Sequence, residues 1–290
     1  MSRSYALFTA DGRLGNQLFQ AAFLDSILQP GDRLFTTGME EFFEGFDWTR
    51  IEVSNRGNSQ NAIGLKRWAR RLGKLAVQLR LVNGWRQLKS RFPGRGQSYV
   101  LHGGTIERKR GFFRRLTYVD KGYFQDAARA SHASFRLKET HLTAARAFLD
   151  TLPAGPLAFV HVRRGDYKSW QILGRSPLLD LRYFMNGVAL IRQAAPETQF
   201  ILLSDEVEGL KPIFAGAELH VFRGANVYED FGMMTLCDGG VVSNSTLSWW
   251  GGFFTTRRLP VVSPKNWLAC GLDYEYPVGI TADWMTPIEA

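Results

Sequence analysis

The apolar positions of the C-terminal half predict short strands that alternate with helices. Short apolar runs are typical of buried strands, and longer runs with helical periodicity lie between them. Such alternation indicates parallel β-α-β units, and therefore an open, doubly wound α/β sheet. The predicted strands are 157–162, 200–203, 219–222, 241–242 and 261–262, and the predicted helices are 181–195, 228–236 and 245–254.

The N-terminal part opens with a similar unit. Residues 5–9 form an apolar run that predicts a strand, and residues 16–28 predict a helix after a glycine-bearing loop. The stretch 153–156 contains two prolines and a glycine, which stop regular structure. We therefore predict one domain over residues 1–153 and a second over residues 154–290.

One segment carries the positive charge of the chain. The formal net charge is +9 over 290 residues, yet 15 Lys and Arg oppose one acidic residue between Lys66 and Arg115. That segment has a net charge of +14, and the remainder carries −5. A uniformly basic nucleic-acid binder would not show this distribution. A non-enzymatic nucleic-acid-binding protein stays an alternative, although no nucleic-acid motif accompanies the charge, and we expect no nucleic-acid partner.

The basic segment contains an apolar stripe at helical spacing. Two interpretations stay open: a core-facing helix with a solvated basic face, or a helix held at an anionic membrane surface. The apolar positions are Leu65, Trp68, Leu72, Leu75, Leu79 and Val82, and the flanking basic residues are Lys66, Arg67, Arg70, Arg71, Lys74 and Arg80.

The sequence predicts a cytoplasmic protein. It contains no run of about 18 apolar residues, and its N-terminus lacks the apolar stretch of a signal peptide. Two cysteines, Cys237 and Cys270, make neither a disulfide framework nor a zinc site. If the stripe binds lipid, the protein would lie peripherally on the inner membrane face.

Polar residues follow the predicted strands, where doubly wound sheets bind ligands. Arg163 needs an anionic partner there, and its planar guanidinium suits a phosphate; an ion pair with Asp166 is the structural alternative. Asn244, Ser245 and Thr246 offer an amide, hydroxyls and a helix N-terminus, which together suit an anion. Plain helix capping is the alternative there.

The glycine-bearing loop after the first strand is a third candidate anion site. Gly12 and Gly15 would allow the backbone to approach a phosphate closely, but the loop is neither a P-loop nor a dinucleotide fingerprint. A tight turn capped by Asn16 is the alternative. We expect no metal, because the five histidines show no ligand spacing and no Asp-x-Asp occurs. Positive side chains and helix N-termini would then neutralise phosphates.

Three motifs resemble the α-1,2-fucosyltransferase family, glycosyltransferase family 11. They are GRLGNQLFQ at 12–20, HVRRGDY at 161–167 and SNSTLSWWGG at 243–252. The resemblance covers residues 5 to about 24 and 157 to about 254, whereas residues 36–154 match no motif. It implies two Rossmann-like domains facing a cleft, the GT-B arrangement. The acceptor side would belong to the N-terminal domain, and the C-terminal domain would bind GDP-fucose.

The implied reaction is an inverting, metal-independent transfer of L-fucose. GDP-fucose would be the donor, no further cofactor would be needed, and the acceptor would be the 2-hydroxyl of a β-galactoside in a glycan. A transferase that uses another GDP-sugar or a protein acceptor is the alternative.

The resemblance also implies roles for individual residues around the donor. Arg163 would hold the pyrophosphate, and Gly15 and Asn16 would reach the same phosphates. His161 would lie near the guanine, and Asp230 would read the guanine protons. The remaining donor-binding residues would be Asp205, Asn244, Ser245 and Thr246.

The general base is open among three side chains. Asp166, Glu206 and His161 could each accept the proton of the acceptor hydroxyl. Asp166 is equally a structural partner for the neighbouring arginines. A fucosyl transition state with little base assistance would depend instead on leaving-group stabilisation by Arg163 and Asn16.

Overall fold

A computed structural model describes residues 4–55, 62–91, 99–119, 125–210 and 218–290. The chain forms two compact units. The first comprises Met1–Arg136 with Pro277–Gly279, and the second comprises Leu137–Tyr276 with Ile280–Ala290. The described residues of each unit build a six-stranded sheet. The functional division near residue 153, and a cleft between two domains, stay predictions.

The first unit has a mostly parallel sheet in the order β4-β2-β1-β7-β5-β6, in which only the described β5–β6 pairing is antiparallel. Its elements are β1 (Tyr5–Thr9), α1 (Leu14–Ile27), β2 (Arg33–Thr37), α2 (Glu40–Gly45), β3 (Phe46–Trp48), β4 (Glu52–Asn55), α3 (Ala62–Gln78), β5 (Val82–Arg91), β6 (Tyr99–Lys109), β7 (Phe113–Val119) and α4 (Ala127–Ala130), with β8 (Phe135–Leu137) at its boundary.

A buried carboxylate in α1 forms hydrogen bonds that connect several elements of this unit. Asp25 accepts hydrogen bonds from Trp48 Nε1 at 3.0 Å and from Ser134 N and Oγ at 2.9 Å. Burial raises the pKa of Asp25, although these hydrogen bonds oppose the shift. The network fixes α1 against β3, because a buried carboxylate needs such partners.

The second unit has a sheet in the order β11-β10-β9-β12-β13-β14, with every described pairing parallel. Its order reverses beside β9, which is where doubly wound sheets bind ligands. Its elements are α5 (Thr143–Leu149), β9 (Leu157–Val162), α6 (Leu181–Ala194), β10 (Gln199–Ser204), β11 (Leu219–Val221), α7 (Val227–Leu236), β12 (Gly239–Val241), α8 (Thr246–Phe254), β13 (Val261–Pro264) and β14 (Met285–Ile288).

The core of the second unit explains its continuous apolar strands. Ala158, Phe159 and Val160 of β9 are all buried, as expected for a parallel sheet covered on both faces. Gly240 of β12 lies so close to β9 that a Cβ there would be 2.5 Å from the Phe159 ring. The tight β9–β12 approach therefore requires glycine.

The predicted strands and helices are confirmed within two residues at each end in the C-terminal half and in β1 and α1. Val82 is a correction, because it begins β5 instead of continuing the apolar stripe of α3. The side chains of Leu65, Lys66 and Arg67 lie outside the described residues. Within the described part of the chain, no helix combines the length and hydrophobicity that crossing a bilayer requires.

Candidate active site

A cavity of about 340 Å³ opens at the carboxyl edge of the second unit's sheet. Because parallel strands end at the same edge, it gathers residues that are far apart in the sequence. They come from the ends of β9 and β10, the loop after β11, the first turns of α7, and α8. The charged and polar lining residues are His161, Arg163, Ser204, Asp205, Arg223, Asn226 and Asp230.

Arg163 follows β9 and is held by Asp166. Its Nε donates to Asp166 Oδ1 at 3.0 Å and its Nη2 donates to Oδ2 at 2.9 Å. The guanidinium carbon also lies 5.2 Å from the centre of the Tyr167 ring. Asp166 engages two of the five N–H donors of a guanidinium. Arg163 can therefore hold this carboxylate and an anion in the cavity at the same time.

Asp205, which follows β10, fixes the loop after β9. Its carboxylate accepts the backbone N–H groups of Arg164 at 3.0 Å and Gly165 at 2.8 Å. A Cβ on Gly165 would lie 2.6 Å from Asp205 Oδ2, so glycine permits this contact. Asp205 lines the cavity as the sequence led us to expect, but its oxygens orient the loop that carries Arg163.

The neighbouring base candidate, Glu206, belongs to an ion-pair cluster. It accepts a hydrogen bond from Lys168 Nζ, and its other oxygen lies 3.4 Å from Arg164 Nε. Each carboxylate oxygen of Glu206 thus has its own cationic neighbour, and Glu206 is absent from the described lining of the cavity. Its predicted role as a base stays a prediction without added support.

His161 lies at the end of β9, with Nδ1 2.8 Å from Ser243 Oγ. Burial and, to a smaller extent, the charge of Arg163 lower its pKa to about 4, although the charge of Asp205 opposes the shift. The imidazole is therefore neutral at pH 7. A side chain with so low a pKa is a weak proton acceptor at neutral pH, which disfavours His161 as the general base.

Asp230 of α7 also lines the cavity. Its Oδ1 accepts the backbone N–H of Gly224 at 2.8 Å, and burial raises its pKa while the charge of Arg223 opposes the shift. Sequence analysis missed Arg223, Gly224 and Asn226. The same strand-end argument that selected Arg163 would have found them, because they directly follow β11.

The N-termini of α7 and α8 differ in whether their backbone N–H groups are available to bind an anion. Asn226 Oδ1 accepts from the N–H groups of Tyr228 at 3.0 Å and Glu229 at 3.1 Å, so the start of α7 is capped internally. Ser245 precedes α8 and makes no side-chain cap there. The start of α8, whose Leu247 lines the cavity, is therefore the better candidate of the two for binding an anion.

The other residues of the SNST motif are mostly buried. Asn244 Nδ2 donates to Pro177 O at 2.8 Å, while Asn244 Oδ1 is buried and has no hydrogen-bond partner among the described residues. Ser245 is buried and Thr246 is half-buried. None of these three residues belongs to the described lining of the cavity. Their contact with phosphate stays a prediction, and it would use backbone N–H groups more readily than the Asn244 side chain.

Gly15 and Asn16 lie in α1 of the first unit, and Gly15 is buried. Asn16 Oδ1 accepts from Gln125 Nε2 at 3.0 Å, and Glu41 Oε2 accepts the Leu14 N–H at 2.6 Å. An internal carboxylate thus occupies the start of α1. The predicted phosphate contacts of Gly15 and Asn16 stay predictions.

Metal ligands were not expected from the sequence. In the parts of the chain that the structure describes, no cluster of three His, Cys, Asp or Glu side chains could hold a metal ion.

The fold and cavity together define an α/β protein with charged and polar side chains gathered in a cavity at its strand ends. The sequence profile of Glycosyl transferase family 11 matches residues 96–276, more than half of the chain, and the chain belongs to this family. It is therefore a glycosyltransferase. The resemblance to glycosyltransferase family 11 is confirmed, and the matched residues include the motifs at 161–167 and 243–252.

Two curated relatives come from Escherichia coli. The chain is 29% identical over 116 residues to the O-antigen biosynthesis glycosyltransferase WbnK, and that alignment covers 38% of each protein. It is 29% identical over 115 residues to an alpha-1,2-colitosyltransferase, covering 37% of this chain and 40% of the relative. The matches thus span about two fifths of the relatives' lengths.

A solved structure shares the fold. The crystal structure of POFUT1 in complex with GDP-fucose superposes with a TM-score of 0.50 at 13% sequence identity. The match covers 84% of this chain and 92% of that one. The α/β architecture predicted from the sequence is confirmed at this level.

Proposed function

We propose that this glycosyltransferase moves L-fucose from GDP-fucose to the 2-hydroxyl of a β-galactoside in a glycan, with inversion at the fucose anomeric carbon. The observation that carries the proposal is the convergence of Arg163, His161 and Asp230 on one cavity at the carboxyl edge of a parallel sheet. Family membership limits the reaction to glycosyl transfer, and the three motifs of the fucosyltransferase resemblance favour fucose.

In this reaction the bond between the anomeric carbon and the β-phosphate oxygen breaks, and GDP leaves with the electron pair. The acceptor oxygen forms the new bond from the opposite face, and its proton passes to a general base or to water. Arg163 stabilises the charge that develops on the departing phosphate, because two charge-assisted hydrogen bonds fit its planar group. The half-exposed pair with Asp166 keeps that group pointed in one direction.

The nucleotide end of the donor would lie against Asp230. A carboxylate can accept both the imino and the amino protons of guanine, and each oxygen has two lone pairs. The Gly224 N–H occupies one lone pair of Oδ1 and holds the carboxylate in place. Arg223 stands beside Asp230 as a second cation of the same lining.

A different GDP-sugar is the second candidate donor. The observation in its favour is the similarity to an alpha-1,2-colitosyltransferase, which is no lower in identity than the similarity to WbnK. GDP-colitose therefore belongs in any test of donor choice.

A donor screen tests the proposal. Purified protein would be incubated with GDP-fucose, GDP-colitose, GDP-mannose and UDP-galactose, with and without lactose as a simple β-galactoside. We expect acceptor-dependent release of GDP from GDP-fucose and a fucosyl product linked at the 2-hydroxyl of galactose. Transfer from GDP-colitose alone would replace the first candidate by the second. Transfer from UDP-galactose alone would refute both.

Metal independence is a separate expectation of the proposal. Transfer from GDP-fucose should keep its full rate in excess EDTA, because Arg163 and helix N-termini replace the divalent cation at the phosphates. Activity that disappears with EDTA and returns with Mn²⁺ or Mg²⁺ would show that this view of the phosphate site is wrong.

A further inference from the structure

The apolar stripe of α3 points away from its own unit. Gly73 and Val77 face the sheet instead, because a Cβ on Gly73 would overlap the Tyr118 ring and Val77 packs on Gly84. The core-facing interpretation is therefore wrong for the described stripe residues of α3 and its C-terminal end. Their exposed fractions are 63% for Trp68, 60% for Leu72, 49% for Leu75 and 61% for Leu79.

A second apolar segment joins this stripe. The N–H groups of Phe112 and Phe113 donate to the carbonyls of Arg80 at 2.7 Å and Leu81 at 2.8 Å, directly after α3. Phe112 is 79% exposed, and Phe113 and Leu81 are also exposed. Two parts of the chain that are about thirty residues apart thus present one apolar surface.

The part of the sheet face that adjoins α3 is also partly exposed. A groove of about 550 Å³ runs between Leu72 of α3 and the strands, lined by Tyr5, Leu7, Phe35 and Leu116 among others. These four strand residues are between 37% and 41% exposed. Sheet faces of this kind are normally covered, and no element among the described residues covers this part of the face beside α3. Contiguous exposed apolar area of this kind marks an interaction site.

Positive side chains surround the apolar surface. Arg114 lies on the same face of β7 as Leu116, because side chains alternate along a strand. Arg70 differs from its neighbours, since its Nη2 donates to Ala10 O at 2.8 Å and serves the fold. The exposed basic residues beside the stripe and the Phe112 turn are Arg71, Lys74, Arg80, Arg110 and Arg114.

We propose that this apolar-basic face, formed by Trp68, Leu72, Leu75, Leu79, Phe112 and the basic residues just named, binds the surface of an anionic bilayer. Charge complementarity selects this partner. Leucine, tryptophan and phenylalanine would enter the headgroup and acyl boundary, while lysine and arginine contact anionic headgroups. The inference does not depend on the donor sugar.

Two other occupants fit less well. A second copy of the chain would bring two segments of net charge +14 together, which is repulsive. A nucleic acid would use the positive charge and could stack on Trp68 or Phe112, but the exposed leucines would gain nothing from it. An anionic lipid surface uses both the charge and every exposed apolar side chain.

Vesicle sedimentation tests the proposal with the full chain. Vesicles of phosphatidylcholine alone would be compared with vesicles containing about a third phosphatidylglycerol. We expect binding only to the anionic vesicles, and we expect the bound fraction to fall steeply between about 50 and 500 mM NaCl. Wild-type protein that stays in the supernatant with anionic vesicles at low salt would overturn the proposal.

Matched variants test the contributions of the basic and the apolar side chains to vesicle binding separately. The triple variant Arg71→Gln, Lys74→Gln, Arg114→Gln should lower the partition coefficient at least about tenfold. The control Arg182→Gln, Arg192→Gln, Arg258→Gln removes the same charge from exposed positions of the second unit and should retain binding. Equal loss in both triple variants would reduce the effect to net charge and overturn the assignment of this face.

The apolar contribution has its own control. Leu79→Ser should lower the partition coefficient at least about threefold, whereas Met185→Ser, at another exposed apolar position, should not. Thermal melting would confirm that each variant is folded. If sedimentation velocity showed a wild-type dimer that Leu79→Ser dissociates without changing vesicle binding, the face would belong to a second copy and the proposal would be wrong.

Discussion

The two units differ in where their charged and apolar side chains lie. In the second unit, apolar strands are buried, and charged groups converge on a small cavity at the sheet edge, where Arg163, Asp205 and Asp230 each have a defined partner. In the first unit, Trp68, Leu79 and neighbouring leucines lie at the surface among basic residues.

This difference suggests separate tasks for the two units: the second would bind the donor, and the first would attach the protein to a membrane. Preorganised charges at strand ends suit a small anionic donor, because the partners hold each group in place before the ligand arrives. An exposed apolar helix face with flanking cations has no such fixed geometry and suits an extended, fluid partner. The segment that carries the excess positive charge lies in the first unit, whereas the proposed donor cavity is formed by residues of the second.

The largest contrast should appear in stability. Leu202→Ala removes a fully buried side chain from β10 and should lower the free energy of unfolding by about 2–5 kcal/mol. Leu75→Ala truncates a side chain of the outward stripe and should change it by less than about 0.5 kcal/mol. Urea denaturation measures both. A comparable loss for Leu75→Ala would mean that the stripe is packed against protein.

Turnover should depend much more on Arg163 than on the adjacent Arg164 of the 161–167 motif. Arg163→Ala and Arg163→Lys should each lower turnover at least about a hundredfold, because lysine keeps the charge but not the two-pronged geometry. Arg164→Gln is the matched control, since its guanidinium lies beside Glu206 and it is absent from the described cavity lining. Initial rates with GDP-fucose that are near normal in folded Arg163→Ala would refute the assignment.

The depressed pKa of His161 predicts a loss of stability in mild acid. Its pKa is about 4 in the folded state against 6.5 for an ordinary histidine, so the unfolded state binds the proton more readily between these values. The stability is complete above pH 6.5 and falls as the pH approaches 4. The loss should reach about 2 kcal/mol between pH 7 and 5.

His161→Gln should reduce this pH dependence. The exposed His132 supplies the control, and His132→Gln should leave the acid loss unchanged in urea titrations at the two pH values. An acid loss that is the same in His161→Gln as in the wild type would show that His161 protonates normally in the folded state.

The smallest effect is expected for Asp166. As a positioning residue it orients Arg163, and Asp166→Asn would keep one of the two hydrogen bonds. Turnover should therefore fall less than about tenfold, and the pH profile of kcat should keep its shape. A loss above about a hundredfold, together with disappearance of the acidic limb, would make Asp166 the general base instead.

The sequence was sufficient to predict most strands and helices of the second unit and several residues of its cavity. This is because β9 and β10 are continuous apolar runs and their ends carry distinctive polar residues. Its last strand was missed, since β14 is a short edge strand that contains Pro287. Arg223 and Gly224 follow β11, which was predicted, but no motif accompanies them to mark them as part of a site.

For the first unit, periodicity established that Trp68, Leu72 and Leu79 share one face of α3. It could not establish what covers that face, because a helix can pack through small residues such as Gly73 on its opposite side. The strands β5 and β6 were missed because basic and polar residues interrupt their alternation. Tertiary packing, which local pattern does not encode, decided both cases.

Calorimetric titration with GDP tests the central claim that the cavity beside Arg163 and Asp230 holds the donor nucleotide. The account predicts saturable binding of GDP by the wild type, at least about tenfold weaker binding by Arg163→Ala, and weaker binding of UDP than of GDP. Wild-type protein that does not bind GDP, or Arg163→Ala that binds it as tightly as the wild type, would contradict the claim.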